Sequence, residues 1–158
     1  VAVGVFHRIG TPDPATFTNS MEQIRSFVGE VTFDGIYTSV WDHRAEIGEI
    51  GGVWLFPAGD TIGKEGFVDL SQLRTLVDEY GCRLGWHTWS HPDMTRLSDS
   101  EVLRELECPD WMPRDAFAYP YGDFTERVIG LVKAAGYGKA YSTTQGNGDA
   151  FAIYRAYI

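Results

Sequence analysis

His87-Thr88-Trp89-Ser90-His91-Pro92 places two imidazoles four residues apart, a spacing at which they can share one divalent ion. On a helix both rings would lie on one face. Pro92 opposes a helix, because the residue before a proline is pushed out of the α region. Cys82-Arg83-Leu84-Gly85-Trp86 reads as a strand, and Ser98 with Glu101 opens the next helix as a capping box. The two rings are therefore expected to leave the carboxyl end of a strand and converge in a loop, where α/β proteins place their sites. The competing reading packs one histidine under Trp86 and Trp89 and lets the other bond a backbone carbonyl.

Three more polar positions fall at expected strand ends. Asp34 follows Val31-Thr32-Phe33, His7 follows Val3-Gly4-Val5-Phe6, and Tyr119-Pro120-Tyr121-Gly122-Asp123 follows Ala116-Phe117-Ala118. A parallel sheet gathers its strand ends on one rim, so residues distant in sequence can meet there. Asp42-His43 reads as a solvated pair, Asp60 as a turn residue, and Asp123 as the cap of the following helix.

The elements that must position these groups alternate along the chain. Strands are expected at Ala2–Phe6, Val31–Phe33, Val53–Pro57, Cys82–His87, Ala116–Tyr119, Tyr137–Ser142 and Ala152–Ile158. Helical spacing runs from Ala15 to Val28, from Leu70 to Val77, from Ser100 to Glu107 and from Thr125 to Ala135. Alternation of this kind predicts an α/β fold with a mostly parallel sheet and helices outside it. A complete eight-fold barrel needs about 250 residues. The 158 residues here predict one domain, residues 1–158, folded as a reduced or distorted (β/α) barrel of about seven strands.

Composition narrows the partners. Thirteen Lys and Arg against 22 Asp and Glu give a net charge of −9, which repels nucleic acid and anionic membranes. No apolar run is long enough to span a bilayer. The basic and apolar regions of a signal peptide are missing, which favours the cytoplasm, but the chain begins with Val1 rather than Met and localisation stays open. Cys82 and Cys108 lie in no C-x-x-C pair and read as buried or idle thiols. Aromatic residues make up 14% of the chain, with several beside the motifs. Trp86, Trp89 and Tyr121 could stack on carbohydrate rings.

Taken in order, Thr32-Phe33-Asp34, His87-Thr88-x-x-His91-Pro92 and Phe117-Ala118-Tyr119-Pro120-Tyr121-Gly122 resemble the polysaccharide deacetylases of the NodB type, carbohydrate esterase family 4. The resemblance implies a metal-dependent hydrolase that removes an N- or O-acetyl group from an amino sugar or glycan. It implies a divalent metal, zinc above all, held by Asp34, His87 and His91, with Tyr119, Pro120, Tyr121 and Trp89 toward the substrate. A second aspartate would be the general base, and a histidine would protonate the leaving group. Three departures follow. Gly35 stands where the family has its second aspartate, so Asp34 must choose between base and ligand, and ligation is expected. Ala118 stands in place of the arginine of Arg-x-Pro-Tyr. No histidine follows His91, so His7 is expected to serve as the acid in a circularly permuted arrangement. The alternative is a degenerate member that binds a glycan without turnover.

Overall fold

The computed structural model describes residues 1–146 and 148–158. Its elements run β1 (Val3–Phe6), β2 (Arg8–Ile9), β3 (Thr18–Asn19), α1 (Met21–Ser26), β4 (Glu30–Asp34), α2 (Thr38–Asp42), α3 (Arg44–Ile50), β5 (Trp54–Phe56), α4 (Leu70–Asp78), β6 (Arg83–Leu84), α5 (Asp99–Leu106), β7 (Phe117–Ala118), α6 (Glu126–Ala134), β8 (Ala140–Ser142), β9 (Ile153–Tyr154) and β10 (Ala156–Tyr157). The α/β class and the parallel sheet are as expected: every paired strand is parallel to its neighbour.

The main sheet has the order β10-β1-β4-β5-β6, and a second has the order β7-β8-β9. A parallel bridge between Trp86 and Phe117 joins β6 to β7. At the other end β9 and β10 are one run of chain interrupted at Arg155, with β9 pairing β8 and β10 pairing β1. The pairings thus pass through seven strand positions and return to β1. The expected last strand is split at Arg155, which is fully buried where the run changes partner from β8 to β1.

Local signals placed most boundaries. Capping boxes open α1 at Ser20 with Gln23, α4 at Asp69 with Gln72 and α5 at Ser98 with Glu101. The helix expected over Ala15–Val28 shrinks to α1. Asp13 caps a 3-10 turn at Pro14–Thr16, Phe17 adopts a left-handed backbone, and β3 pairs with β2. Phe17 and Val28 completed the amphipathic pattern, yet they are 51% and 89% exposed. The unassigned stretch after Gly35 forms α2 and α3, anchored by buried Val40 and Ile47. Three apolar clusters fill the molecule, one around Phe33, Leu55 and Leu73, a second around Trp86, Phe117 and Val128, and a third around Trp54, Phe56 and Tyr141. Cys82 and Cys108 are buried free thiols.

Candidate active site

β6 ends against β7, where the Trp86 amide donates to Ala116 O and the Ala118 amide to Trp86 O. The chain then turns sharply, with Thr88 at φ 67° and His91 at φ 57°. The segment is non-helical, as Pro92 required, but it uses left-handed residues rather than extended ones. Thr88 Oγ1 accepts the His91 amide at 3.0 Å. Glu105 of α5 accepts the Trp89 amide at 2.8 Å, the Ser90 amide at 3.0 Å and the Ser90 hydroxyl at 2.6 Å. These bonds bring the His87 and His91 rings to 4.8 Å between centroids at 69°. His87 is 1% exposed, and its Nδ1 lies 2.8 Å from Ala118 O. A carbonyl only accepts, so Nδ1 carries the proton and Nε2 keeps its lone pair. Burial lowers the His87 pKa to about 4, against the opposing charge of Asp34. Burial likewise lowers His91.

Asp34 closes β4, and its Oδ2 lies 4.0 Å from His87 Nε2. It is held from the other side by Arg155, a residue that sequence reasoning did not assign to the site. Nη1 donates to Oδ1 at 2.6 Å and Nη2 to Oδ2 at 2.7 Å. Nη1 also reaches Thr32 Oγ1 at 3.1 Å, and the guanidinium lies over the Phe56 and Tyr141 rings. Burial would raise the Asp34 carboxyl, but Arg155 together with His87 holds it at about 2. The only signal in the sequence was a lone arginine inside an apolar strand. The strand holding it is the last of those expected, while Asp34 ends the second.

His7, just after β1, lies on the same rim. With Asp34, His87, His91 and Tyr121 it lines a cavity of about 350 Å³. Its ring sits between Phe17, at 5.2 Å, and Tyr157, at 6.2 Å and nearly parallel. Burial lowers its pKa, with Asp34 opposing. Tyr121 meets His91 at 4.7 Å and is 61% exposed. Its backbone is left-handed at φ 59°, and Gly122 behind it presses so closely on Thr143 that any side chain there would collide.

Four expected substrate contacts lie elsewhere. Tyr119 is fully buried and donates its hydroxyl to Phe151 O at 2.8 Å. Pro120 is buried at the start of the turn that presents Tyr121. Trp89 packs edge-on against the wholly buried Trp86, and its indole nitrogen donates to Glu107 O. None of the four lines the cavity; the second apolar cluster takes up Trp86 and Tyr119, and Trp89 packs against it. Asp123 does not cap α6; Thr125 does, and Asp123 accepts from the Thr144 hydroxyl. His43 pairs with Glu46 at 2.7 Å on the surface, and Asp60 sits in a 3-10 turn.

Residues 31–140 match the family described as polysaccharide deacetylase. That segment carries Asp34, both histidines and the Tyr119-Pro120-Tyr121 turn. The chain belongs to the polysaccharide deacetylase family. Chitin deacetylase 1 of Cryptococcus neoformans var. grubii is 34% identical over 76 residues, which cover 42% of this chain and 16% of that protein. The Streptococcus pyogenes deacetylase PplD, solved with acetate, superposes with a TM-score of 0.82 at 14% identity, covering 98% of this chain and 90% of that one. IcaB from Ammonifex degensii gives 0.79 at 20% identity, covering 99% and 91%. At these identities the structural matches establish a shared fold.

The family implies a metal ion, and the donors here meet that need only in part. The bare Nε2 of His87 and the adjoining His91 ring suit a divalent cation. Both Asp34 oxygens already accept hydrogen bonds from Arg155, and Gly35 offers no side chain. Among the described residues no group of three or more His, Cys, Asp and Glu is arranged to hold an ion.

Proposed function

We propose that this polysaccharide deacetylase relative hydrolyses an acyl group, acetyl foremost, from an amino sugar or glycan at the His7–Asp34–His87–His91 cavity. The observation that carries the reading is the convergence of these four side chains, delivered by three strand ends and one loop, on one cavity. His87 Nε2 and His91 would hold a divalent ion, zinc first among candidates, which supplies charge to polarise the acyl oxygen and activate water. Asp34, kept ionised and fixed by Arg155, accepts the proton of the attacking water. His7 passes a proton to the departing nitrogen as the carbon–nitrogen bond breaks, releasing acetate and a free amine. The burial that lowers the pKa of His7 makes its protonated form the stronger donor.

One observation favours a second reading, a protein that binds an acylated glycan with little or no turnover. A carboxylate with a pKa of about 2 is a weak base, and Gly35 leaves the metal one carboxylate short. Acetate release from N-acetylated chito-oligosaccharides, measured with and without added zinc, separates the two. Turnover abolished by His87→Ala and His91→Ala supports hydrolysis. Binding without release at any zinc concentration supports the second reading.

A further inference from the structure

Arg8 opens β2, one residue beyond His7. Its guanidinium carbon lies 4.0 Å over the Tyr37 ring, a cation–π contact. Nη1 donates to Thr16 O at 2.8 Å. The other N–H groups of the guanidinium have no acceptor among the described residues. Nor does Arg8 form an ion pair there, although the chain carries 22 Asp and Glu. A ring and a carbonyl thus fix the head group in place with most of its donors unused.

Tyr37 and Phe67 stack at 4.6 Å and 28°, and an antiparallel bridge joins their backbones. This pair lines the His7–Asp34–His87–His91 cavity and also a neighbouring groove of about 460 Å³ that contains Arg8. No other Lys or Arg of the described residues lines either one. Burial lowers the His7 pKa first, and the Arg8 charge acts in the same direction. Arg8 is therefore within electrostatic reach of the cavity.

The groove adds the Thr38 and Ser39 hydroxyls. Ser39 Oγ accepts the Ile9 amide at 3.1 Å, which leaves its own proton to donate. Glu65 is the carboxylate of the lining; it is exposed and outside ion-pair distance of Arg8. Its charge opposes a doubly charged phosphate more than a singly charged carboxylate. At −9 the chain repels anions at long range, so an anion held here needs a directed contact. An immobilised guanidinium offers one at reduced entropic cost, in a geometry that matches a carboxylate.

We propose that Arg8 binds a carboxylate on the sugar beside the acylated one, so that the preferred substrate is an acidic glycan rather than a neutral one. This rests on the acyl-glycan reading above and names the class of glycan. The test is calorimetric titration of the intact chain at low salt with a hyaluronan oligosaccharide, in which N-acetylglucosamine alternates with a uronic acid. The comparison is the same oligosaccharide with its carboxyls reduced to alcohols. The acidic form should bind about tenfold tighter, the worth of one charge-assisted contact. Arg8→Met, which keeps an apolar stem on Tyr37, should abolish that preference, and Arg8→Lys should retain part of it. A loop loosened by losing the Thr16 bond would weaken both forms alike; a preference that survives Arg8→Met overturns the role of Arg8. Equal binding of the two forms by the unmodified chain, or binding of neutral chito-oligosaccharides alone, overturns the acidic preference. Tighter Arg8-dependent binding of N-acetylglucosamine 6-phosphate than of the uronate overturns the choice of carboxylate. Failure to bind any of these sugars overturns the acyl-glycan reading and this inference with it.

Discussion

At Asp34 the proposed chemistry offers one carboxylate two roles, metal ligand or base, and Arg155 is the side chain that holds it. Sequence reasoning expected ligation to win. With each oxygen bonded to a guanidinium nitrogen at 2.6 and 2.7 Å, the carboxylate is charge-compensated and fixed in orientation, which favours the base role proposed above. A ligand would have to come from the neighbouring position. Gly35 has a φ of 64°, and a Cβ there would meet the Tyr37 ring at 3.5 Å, an ordinary contact. Aspartate tolerates this backbone better than most residues. Gly35→Asp should raise zinc affinity at least tenfold by equilibrium dialysis; unchanged affinity would refute the assignment of a vacant carboxylate position beside the histidines. His87 carries a second residue-scale prediction. Its folded pKa of about 4 lies below the ordinary 6.5, so between these values the unfolded chain binds a proton that the folded one refuses. Stability is then full above about pH 7 and falls as pH drops toward 4, by roughly 3 kcal/mol from this group. His7 and His91 add slopes of the same sign. Urea titrations in metal-free buffer should show a clearly shallower decline for His87→Gln. An identical slope would locate the effect elsewhere.

At the scale of elements, α5 acts as the brace of the histidine loop. Its Ser98 cap was legible in sequence, but the use of its last turn was not. Glu105 takes three hydrogen bonds from Trp89 and Ser90, and its carbonyl accepts the Trp86 indole at 2.9 Å. A carboxylate accepting from backbone amides holds them more firmly than a neutral acceptor would. Glu105→Ala should cost about 1–3 kcal/mol and weaken zinc binding at His87 and His91, although it touches neither ring. Thermal melts and metal titration of the same variant check both halves. A stability loss without any change in metal affinity would reduce Glu105 to a structural residue.

For the molecule as a whole, the ends of the chain complete the site. β1 delivers His7, and the Ile153–Tyr157 segment delivers Arg155 and Tyr157 while joining β8 to β1. Removing residues 153–158 would leave Asp34 buried without its counter-charge, a loss of about 3–5 kcal/mol, and would open the strand pairing at β1. Such a truncation should lose its cooperative urea transition. Arg155→Met, which leaves the strand intact, should remain folded but less stable. If the truncated chain unfolds with the same midpoint as the full one, the last strand is not the closure described here. The arrangement also relates stability to function: the buried Asp34–Arg155 pair is costly to desolvate, and its orientation of a single carboxylate is what the site gains.

Periodicity and caps determined much about this chain by themselves. The alternation of strand and helix, the capping box at Ser98, and the placement of His7, Asp34 and His87 at the carboxyl ends of strands with His91 in the loop beyond were all legible, because they depend on near neighbours. So was the family resemblance, which rests on short motifs in order. The interrupted helix at Phe17 was not legible, since β2 pairing and the Asp13 cap overrode a weak amphipathic pattern. Nor were the inward turns of Tyr119 and Trp89, whose aromatic bodies satisfy a core that motif position cannot reveal. Above all, the bonding of Arg155 to Asp34 joins residues 121 positions apart. A charge buried in a strand needs a partner, but only the closure of the sheet brings the last strand beside the first and shows which carboxylate that partner is.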